Sequence, residues 1–172
     1  MKSRLLASIA VCAAVVVGAT GCSMISAQST TIPYSPSDGI NVADTEGAPL
    51  QVRNALIVAT DDGSVGNLVA AVVNTTAEDQ VLNVQVEAPT GKITDTVRVP
   101  AHSVSSLGDN VDPLRLDGLG VKPGHTVPVY FQSGSAAGAQ ANVPVLDGGE
   151  EYLTRLVPTP EPTPTDTATP AS

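Results

Sequence analysis

The sequence predicts an all-β fold, namely a single antiparallel β-sandwich of immunoglobulin-like type with about seven strands and disordered termini. Three observations predict it. Val, Thr and Ile are dense between residues 40 and 157, turn residues interrupt them at short intervals, and the apolar period of a long helix is lacking. A body of about 115 residues is enough for one compact domain.

The first strands are predicted at 50–60 ("LQVRNALIVAT") and 67–75 ("NLVAAVVNT"), which are largely apolar on both faces, as in the centre of a sandwich. Between them "DDGSVG" offers Asp62-Gly63 for a hairpin turn. Residues 80–87 alternate instead, which is typical of a half-buried strand with Leu82, Val84 and Val86 facing inward.

A fourth strand is predicted at 92–99, with Ile93, Val97 and Val99 inward and Pro100 at its end. A long loop through "DNVDPLRLDGLGVKPG" leads to strands at 126–132 and 141–146. Because Pro128 and Pro144 lack an N–H, we expect both at an edge or facing solvent. The following "EEYLTRLV" is compatible with a helical turn or a last strand.

The N-terminal residues are typical of an export signal. Lys2 and Arg4 precede an apolar run over residues 5–17, which is well short of the roughly 20 residues of a membrane-spanning helix. Residues 1–21 therefore read as a signal peptide.

The signal ends in "ATGC", residues 19–22, which resembles the lipobox of bacterial lipoproteins. The resemblance implies that Cys22 becomes the first mature residue and carries a diacylglyceryl group, and that Cys12 is removed. Two or more acyl chains give stable membrane attachment. The alternative is an ordinary signal peptide cleaved nearby, which would leave a free thiol at Cys22.

The domain organisation follows from these segments. Residues 22–39 are polar and rich in turn residues, as in a tether, and residues 40–157 form the predicted sandwich. Residues 158–172, "PTPEPTPTDTATPAS", contain no apolar residue larger than alanine except proline, so they cannot bury enough surface to offset their ordering entropy. We expect a disordered tail there.

The charge of the chain limits its partners. Of eight Lys and Arg residues, Lys2 and Arg4 lie in the signal peptide, so the mature chain has six against 17 Asp and Glu, a net charge of −11. So acidic a chain repels phosphate backbones, and nucleic acid is excluded as a partner. The predicted contact with the bilayer is through acylated Cys22.

Residues 97–132, "VRVPAHSVSSLGDNVDPLRLDGLGVKPGHTVPVYFQ", resemble the C-terminal half of the periplasmic PCuAC-type copper-chaperone β-sandwiches. The order of lipobox, tether, sandwich and Pro/Thr-rich tail is similar to that of LpqE-like lipoproteins of actinobacteria. The resemblance implies a sandwich anchored at the outer face of the cell membrane.

The resemblance does not bring the copper ligands with it. PCuAC chaperones hold Cu(I) with Met and His, and the positions of their His-x-Met pair are Pro113 and Arg115 here. His102 and His125 lie in the "PAHSV" and "KPGHTV" turns. A closed site needs three or four ligands, so we expect exposed turn histidines and no metal, with a His102/His125 metal pair as the alternative.

Other chemistry is weakly indicated. "TDDGSVGN" has oxygen ligands but lacks the distant Glu of a calcium loop, and Asp109, Asp112 and Asp117 share one acidic loop. Ser64 does not fit the spacing of a hydrolase nucleophile. Glu150 and Glu151 would point to opposite faces of a strand.

The sequence therefore predicts no enzyme, no catalytic residue and no cofactor. The leading interpretation is a lipid-anchored envelope lipoprotein that acts as a non-catalytic binding or scaffolding module, with other envelope proteins as candidate partners. The alternative is a periplasmic-type copper-handling protein with a degenerate site.

Overall fold

The computed structural model describes residues 37–159 of the chain. The signal peptide, Cys22 and the predicted tail from residue 160 onward lie outside the described residues. Within residues 37–159, no helix is long and apolar enough to span a bilayer.

The described chain is almost entirely β-structure. Eight strands and one helical turn follow in order: β1 Leu50–Ala59, β2 Val65–Asn74, β3 Gln80–Ala88, β4 Gly91–Val99, β5 Ser103–Leu107, β6 Leu114–Asp117, β7 Thr126–Ser133, β8 Ala139–Leu146 and α1 Glu151–Thr154. The all-β prediction is confirmed. The strands number eight because β5 and β6 form between the predicted strands at 92–99 and 126–132, with β6 inside the predicted loop. The segment "EEYLTRLV" gives the helical turn.

The strands form one curled sheet in the order β4-β3-β7-β8-β1-β2-β5, and β6 also pairs with β2. β6 pairs with residues Val65–Leu68 and β5 with residues Ala70–Asn74, so both lie along the same side of β2. All pairs are antiparallel except β1 with β8, which run parallel at Ile57 and Val58.

The two halves of the curled sheet enclose one hydrophobic core. The predicted inward residues Leu82, Val84 and Val86 are buried in it, together with Ile57, Leu68 and Val72 from the opposite half. Phe131 is the single phenylalanine, so β-branched residues and leucines supply most of the buried apolar surface. The arrangement is therefore a sandwich closed along the β8–β1 pair.

A bulge in β1 explains why this strand is apolar on both faces. The register with β2 shifts between Arg53 and Leu56, and Asn54 has a φ of 51°. Such an extra residue exchanges the two faces of a strand. Consequently Val52 faces the core before the bulge and Ile57 after it, while Leu56 and Val58 face the other side, where they enter a second apolar cluster.

That second cluster holds the C-terminal segment on the outer face of the sheet. Leu153 and Leu156 pack with Leu56 and Val58, and the Asn67 side-chain amide donates to the Leu156 carbonyl at 2.9 Å. Farther along, Arg115 Nη1 donates to the Thr159 carbonyl at 3.0 Å. The packed chain thus continues through Thr159.

Each proline of the last two strands lies where its strand is paired on one side only. Pro128 pairs with Asn142 of β8, and the pairing of β7 with β3 begins only at the next residue. Pro144 pairs with Thr126 of β7, and β1 joins β8 only from Val145 onward. The missing N–H groups therefore interrupt no ladder, although both prolines are half-buried.

Candidate binding cleft

A cleft of about 390 Å³ opens where the end of β8 meets α1. Its walls are the Pro123-Gly124 turn before β7, the last residues of β8, the helical turn, and the start of the described chain. The lining residues are Asp38, Pro123, Gly124, Leu146, Asp147, Glu150, Tyr152 and Leu153. This volume is in the range of small-molecule and side-chain pockets.

Packing of two leucines fixes the floor of the cleft. Leu153 of the helical turn is buried against Leu56 and Val58 of β1, and Leu146 packs against the same cluster. The N–H of Gly124 donates to the Val145 carbonyl at 2.8 Å, which holds the opposite wall to β8. The apolar floor is therefore carried by strand and helix residues that are themselves locked in place.

The connection from β8 to the helical turn is a tight turn of two glycines. Asp147 Oδ1 accepts from the N–H of Gly149 at 3.0 Å, and the Thr154 hydroxyl donates to the Gly148 carbonyl at 3.0 Å. These bonds place Asp147 and Glu150 on the rim. Glu150 is the residue before the helix and has an extended backbone. Of the helical turn and the last strand that the sequence left open for "EEYLTRLV", the helical turn forms.

Tyr152 closes one side of the cleft. Its side chain is 53% exposed, and its hydroxyl donates to Asp38 Oδ2 at 2.5 Å. The hydrogen bond to Asp38 is the main cause that raises the pKa of Tyr152 above its usual value of 10.0. The bond joins the start of the described chain to the C-terminal segment.

The carboxylates of the cleft are not neutralised by neighbouring arginines. Among residues 37–159 the ion pairs are Arg53 with Asp44, Arg98 with Asp79, and Arg115 with Asp117. None of them includes a residue that lines the cleft. The cleft therefore combines an apolar floor, a half-exposed aromatic ring and an acidic rim.

The two histidines proposed as an alternative metal pair lie at opposite ends of the sandwich. His102 precedes Ser103, which pairs with Asn74 at the end of β2. The carbonyl of His125 accepts from the N–H of Val145. Through the pairs Val145–Ile57 and Ile57–Leu68, that bond lies at the level of the first half of β2. About six strand residues separate these levels, or roughly 20 Å along the strand. Both side chains are exposed, and one metal ion cannot bridge them.

Arg115 occupies the place where the resemblance puts a copper ligand. Its Nε donates to Asp117 Oδ1 at 2.9 Å, and its Nη1 to the carbonyl of Thr159. A guanidinium has no lone pair to offer a metal. At this position the chain has a clamp for its own C-terminal segment.

The acidic turn at Asp62 is held by hydrogen bonds to its own neighbours. Asp62 Oδ1 accepts from the hydroxyls of Thr60 and Ser64 at 2.6 and 2.8 Å and from the Ser64 N–H. These bonds, led by that of Thr60, lower the pKa of Asp62 to about 2. They build the predicted hairpin turn. Across the described range, 37–159, no group of three or more His, Cys, Asp or Glu side chains is placed to hold a metal ion.

Sequence reasoning did not find the cleft. Its residues come from three separate stretches, around positions 38, 123 and 147–153, which the topology brings together. The signals available were the acidic "DGGEEY" after the last strand and its neighbouring leucines.

No protein-family model matches the chain, and no curated protein matches it. Among solved structures, the copper-bound PCuAC domain from PmoF2 is similar at 14% identity and a TM-score of 0.45, over 61% of this chain and 99% of that one.

Two further structures are similar. The apo PmoF2 PCuAC domain has 14% identity and a TM-score of 0.48 over 64% of this chain and 97% of that one. The apo PCuAC domain from PmoF1 has 12% identity and a TM-score of 0.45 over 60% and 97%. The structural neighbours are thus domains of the class that residues 97–132 resemble.

Proposed function

We propose that the chain is an exported, LpqE-like lipoprotein whose β-sandwich is a non-catalytic binding module, held at the outer face of the cell membrane through acylated Cys22. The observation that carries the proposal is the cleft at the end of β8. Its apolar floor is fixed by packed leucines, and its charged rim faces solvent without arginine partners. These are properties of a preformed recognition site.

The free edges of the sheet favour the cleft as the site of recognition. Along β5, the side chain of Asn110 accepts from the Ser106 N–H at 2.7 Å and donates to the Val104 carbonyl at 3.2 Å. Along β4, the Asp95 carboxylate accepts from the Thr96 N–H at 2.7 Å. Side chains thus occupy backbone groups that an added strand would need.

Copper handling is the alternative, and the residues do not favour it. Arg115 replaces a ligand, and the histidines lie at opposite ends of the domain. Competition of the mature protein with a Cu(I) chelator tests it. We expect no copper to be taken from the chelator. A stoichiometric complex that is lost in His102→Ala or His125→Ala would support the copper function instead.

Detergent phase separation tests the anchor. We expect the wild-type protein from cell membranes in the detergent phase and the Cys22→Ser variant in the aqueous phase, since acyl chains alone supply the affinity. Mass spectrometry of the N-terminal peptide identifies the acyl groups. A wild-type protein that stays aqueous and has an unmodified Cys22 would contradict the proposal.

A further inference from the structure

We infer that the cleft takes the side chain of a lysine or arginine presented by a peptide segment of another protein. This inference rests on the proposed function, because it names the partner chemistry of the same site.

The rim of the cleft is negatively charged. Asp38, Asp147 and Glu150 line one opening, and the described ion pairs all lie elsewhere. The lining contains these three carboxylates and no lysine or arginine, so a cation is favoured over an anion at this opening.

The apolar floor and the aromatic ring of the cleft fit a long basic side chain. A lysine or arginine side chain has an apolar stem that can pack on Leu146 and Leu153 while its charged end reaches the rim. The half-exposed ring of Tyr152 offers a face to the same cation. A divalent metal ion would use neither feature, and no metal-binding cluster is present within residues 37–159.

The two segments that flank the described domain have no basic side chain. Residues 22–36 and 160–172 contain no lysine and no arginine. Neither segment therefore supplies the cation, and another molecule is the candidate source. Since the mature domain is itself strongly acidic, a basic segment of a different protein is a better match than a second copy.

The test uses the full lipidated protein in detergent micelles, with nitrogen-15 NMR as the readout. The probes are the peptide acetyl-Gly-Leu-Lys-Leu-Gly-amide and its two analogues with Gln or Glu in place of Lys. We expect saturable shifts centred on Gly124, Gly149 and Tyr152, with the Lys peptide binding at least about tenfold tighter than the Gln peptide. The Glu peptide should bind weakest.

Two variants with equal charge changes separate the cleft from bulk electrostatics. Asp147→Asn with Glu150→Gln should weaken the Lys peptide by about tenfold or more, and the asparagine can still accept from Gly149. Glu46→Gln with Glu78→Gln removes the same charge away from the cleft and should leave the affinity within about twofold.

Several outcomes would overturn the inference. These are equal binding of the Lys and Gln peptides, equal weakening in both double variants, shifts centred outside the cleft, and spermidine binding as tightly as the peptide. Dimerisation that blocks the peptide would assign the cleft to a second copy. Each of these leaves the anchored binding module itself to be judged by membrane partitioning and by cross-linking in cells, so the two failures are distinguishable.

Discussion

The hydroxyl of Tyr152 donates a 2.5 Å hydrogen bond to the carboxylate of Asp38, which lies 114 residues earlier in the chain. This bond joins the residue where the predicted tether meets the domain to the helical turn that walls the cleft. The start of the described chain and one wall of the cleft are therefore connected by a single pair of side chains.

The Tyr152–Asp38 bond predicts a defined alkaline titration. Because the pKa of Tyr152 is raised above 10.0 in the folded state, the bond stabilises the fold below that value and is lost as the pH rises through the raised pKa. Ultraviolet absorbance should show Tyr152 ionising at lower pH in Asp38→Asn. A Tyr152→Phe difference spectrum isolates this residue from Tyr34 and Tyr130, and an unchanged titration in Asp38→Asn would disprove the bond.

The lowered pKa of Asp62 predicts that stability is lost at acidic pH, whereas the Tyr152–Asp38 bond is lost at alkaline pH. Its pKa is lowered from 3.8 to about 2, so its contribution to stability is complete above 3.8 and is lost as the pH falls toward 2. Thermal unfolding across this range should show a smaller loss of stability in Asp62→Asn than in the wild type. Thr60→Val removes the strongest of the bonds and should give an intermediate slope; a wild-type slope in both variants would rule out this role.

A side chain at Gly63 should destabilise the fold through a local steric clash. It has a φ of 73°, and a Cβ there would lie 2.5 Å from backbone atoms of Val121, so Gly63→Ala should cost about 3 kcal/mol or more. Gly47 provides the control, since its φ is 77° but nothing lies within 4 Å. Gly47→Ala should cost only about 1 kcal/mol, the conformational part. Equal losses in chemical denaturation would show that the Val121 contact does not matter.

Replacement of the buried Asn74 should have a large effect on stability. It is 2% exposed, and its Nδ2 donates to the carbonyls of Glu78, Val99 and Pro100. Asn74→Ala leaves these acceptors short of donors and should lower the free energy of unfolding by about 3 kcal/mol. Asn83 also bonds through its amide but is exposed, so Asn83→Ala should change stability by less than about 0.5 kcal/mol. A small effect at Asn74 would contradict the assigned network.

The fold was largely predictable because apolar periodicity is a local property. Strands β1 to β4, β7 and β8 were predicted within about two residues of their ends. The two strands that were missed are the short edge strands β5, "SVSSL", and β6, "LRLD". Each is held by pairing to β2, so neither needs a long alternating pattern of its own.

The site was less predictable because it depends on long-range packing. The outward face of Leu56 and Val58 follows from a bulge at Asn54, and only that face lets Leu153 dock and place Glu150 and Tyr152 at the cleft. No residue spacing in the sequence indicates that the helical turn docks on the outward face of β1. The histidines, in contrast, are in turns as predicted, and the strand register separates them.

Site-specific photo-crosslinking in intact cells tests the central claim most directly. A photoreactive phenylalanine analogue placed at Tyr152 reports on the cleft, and the same analogue at Val81, which is 46% exposed on β3, is the control. We predict an adduct with another protein from position 152, none from position 81, and loss of the adduct when Asp147→Asn and Glu150→Gln are added. No adduct from position 152, or an equal yield from both positions, would contradict the account.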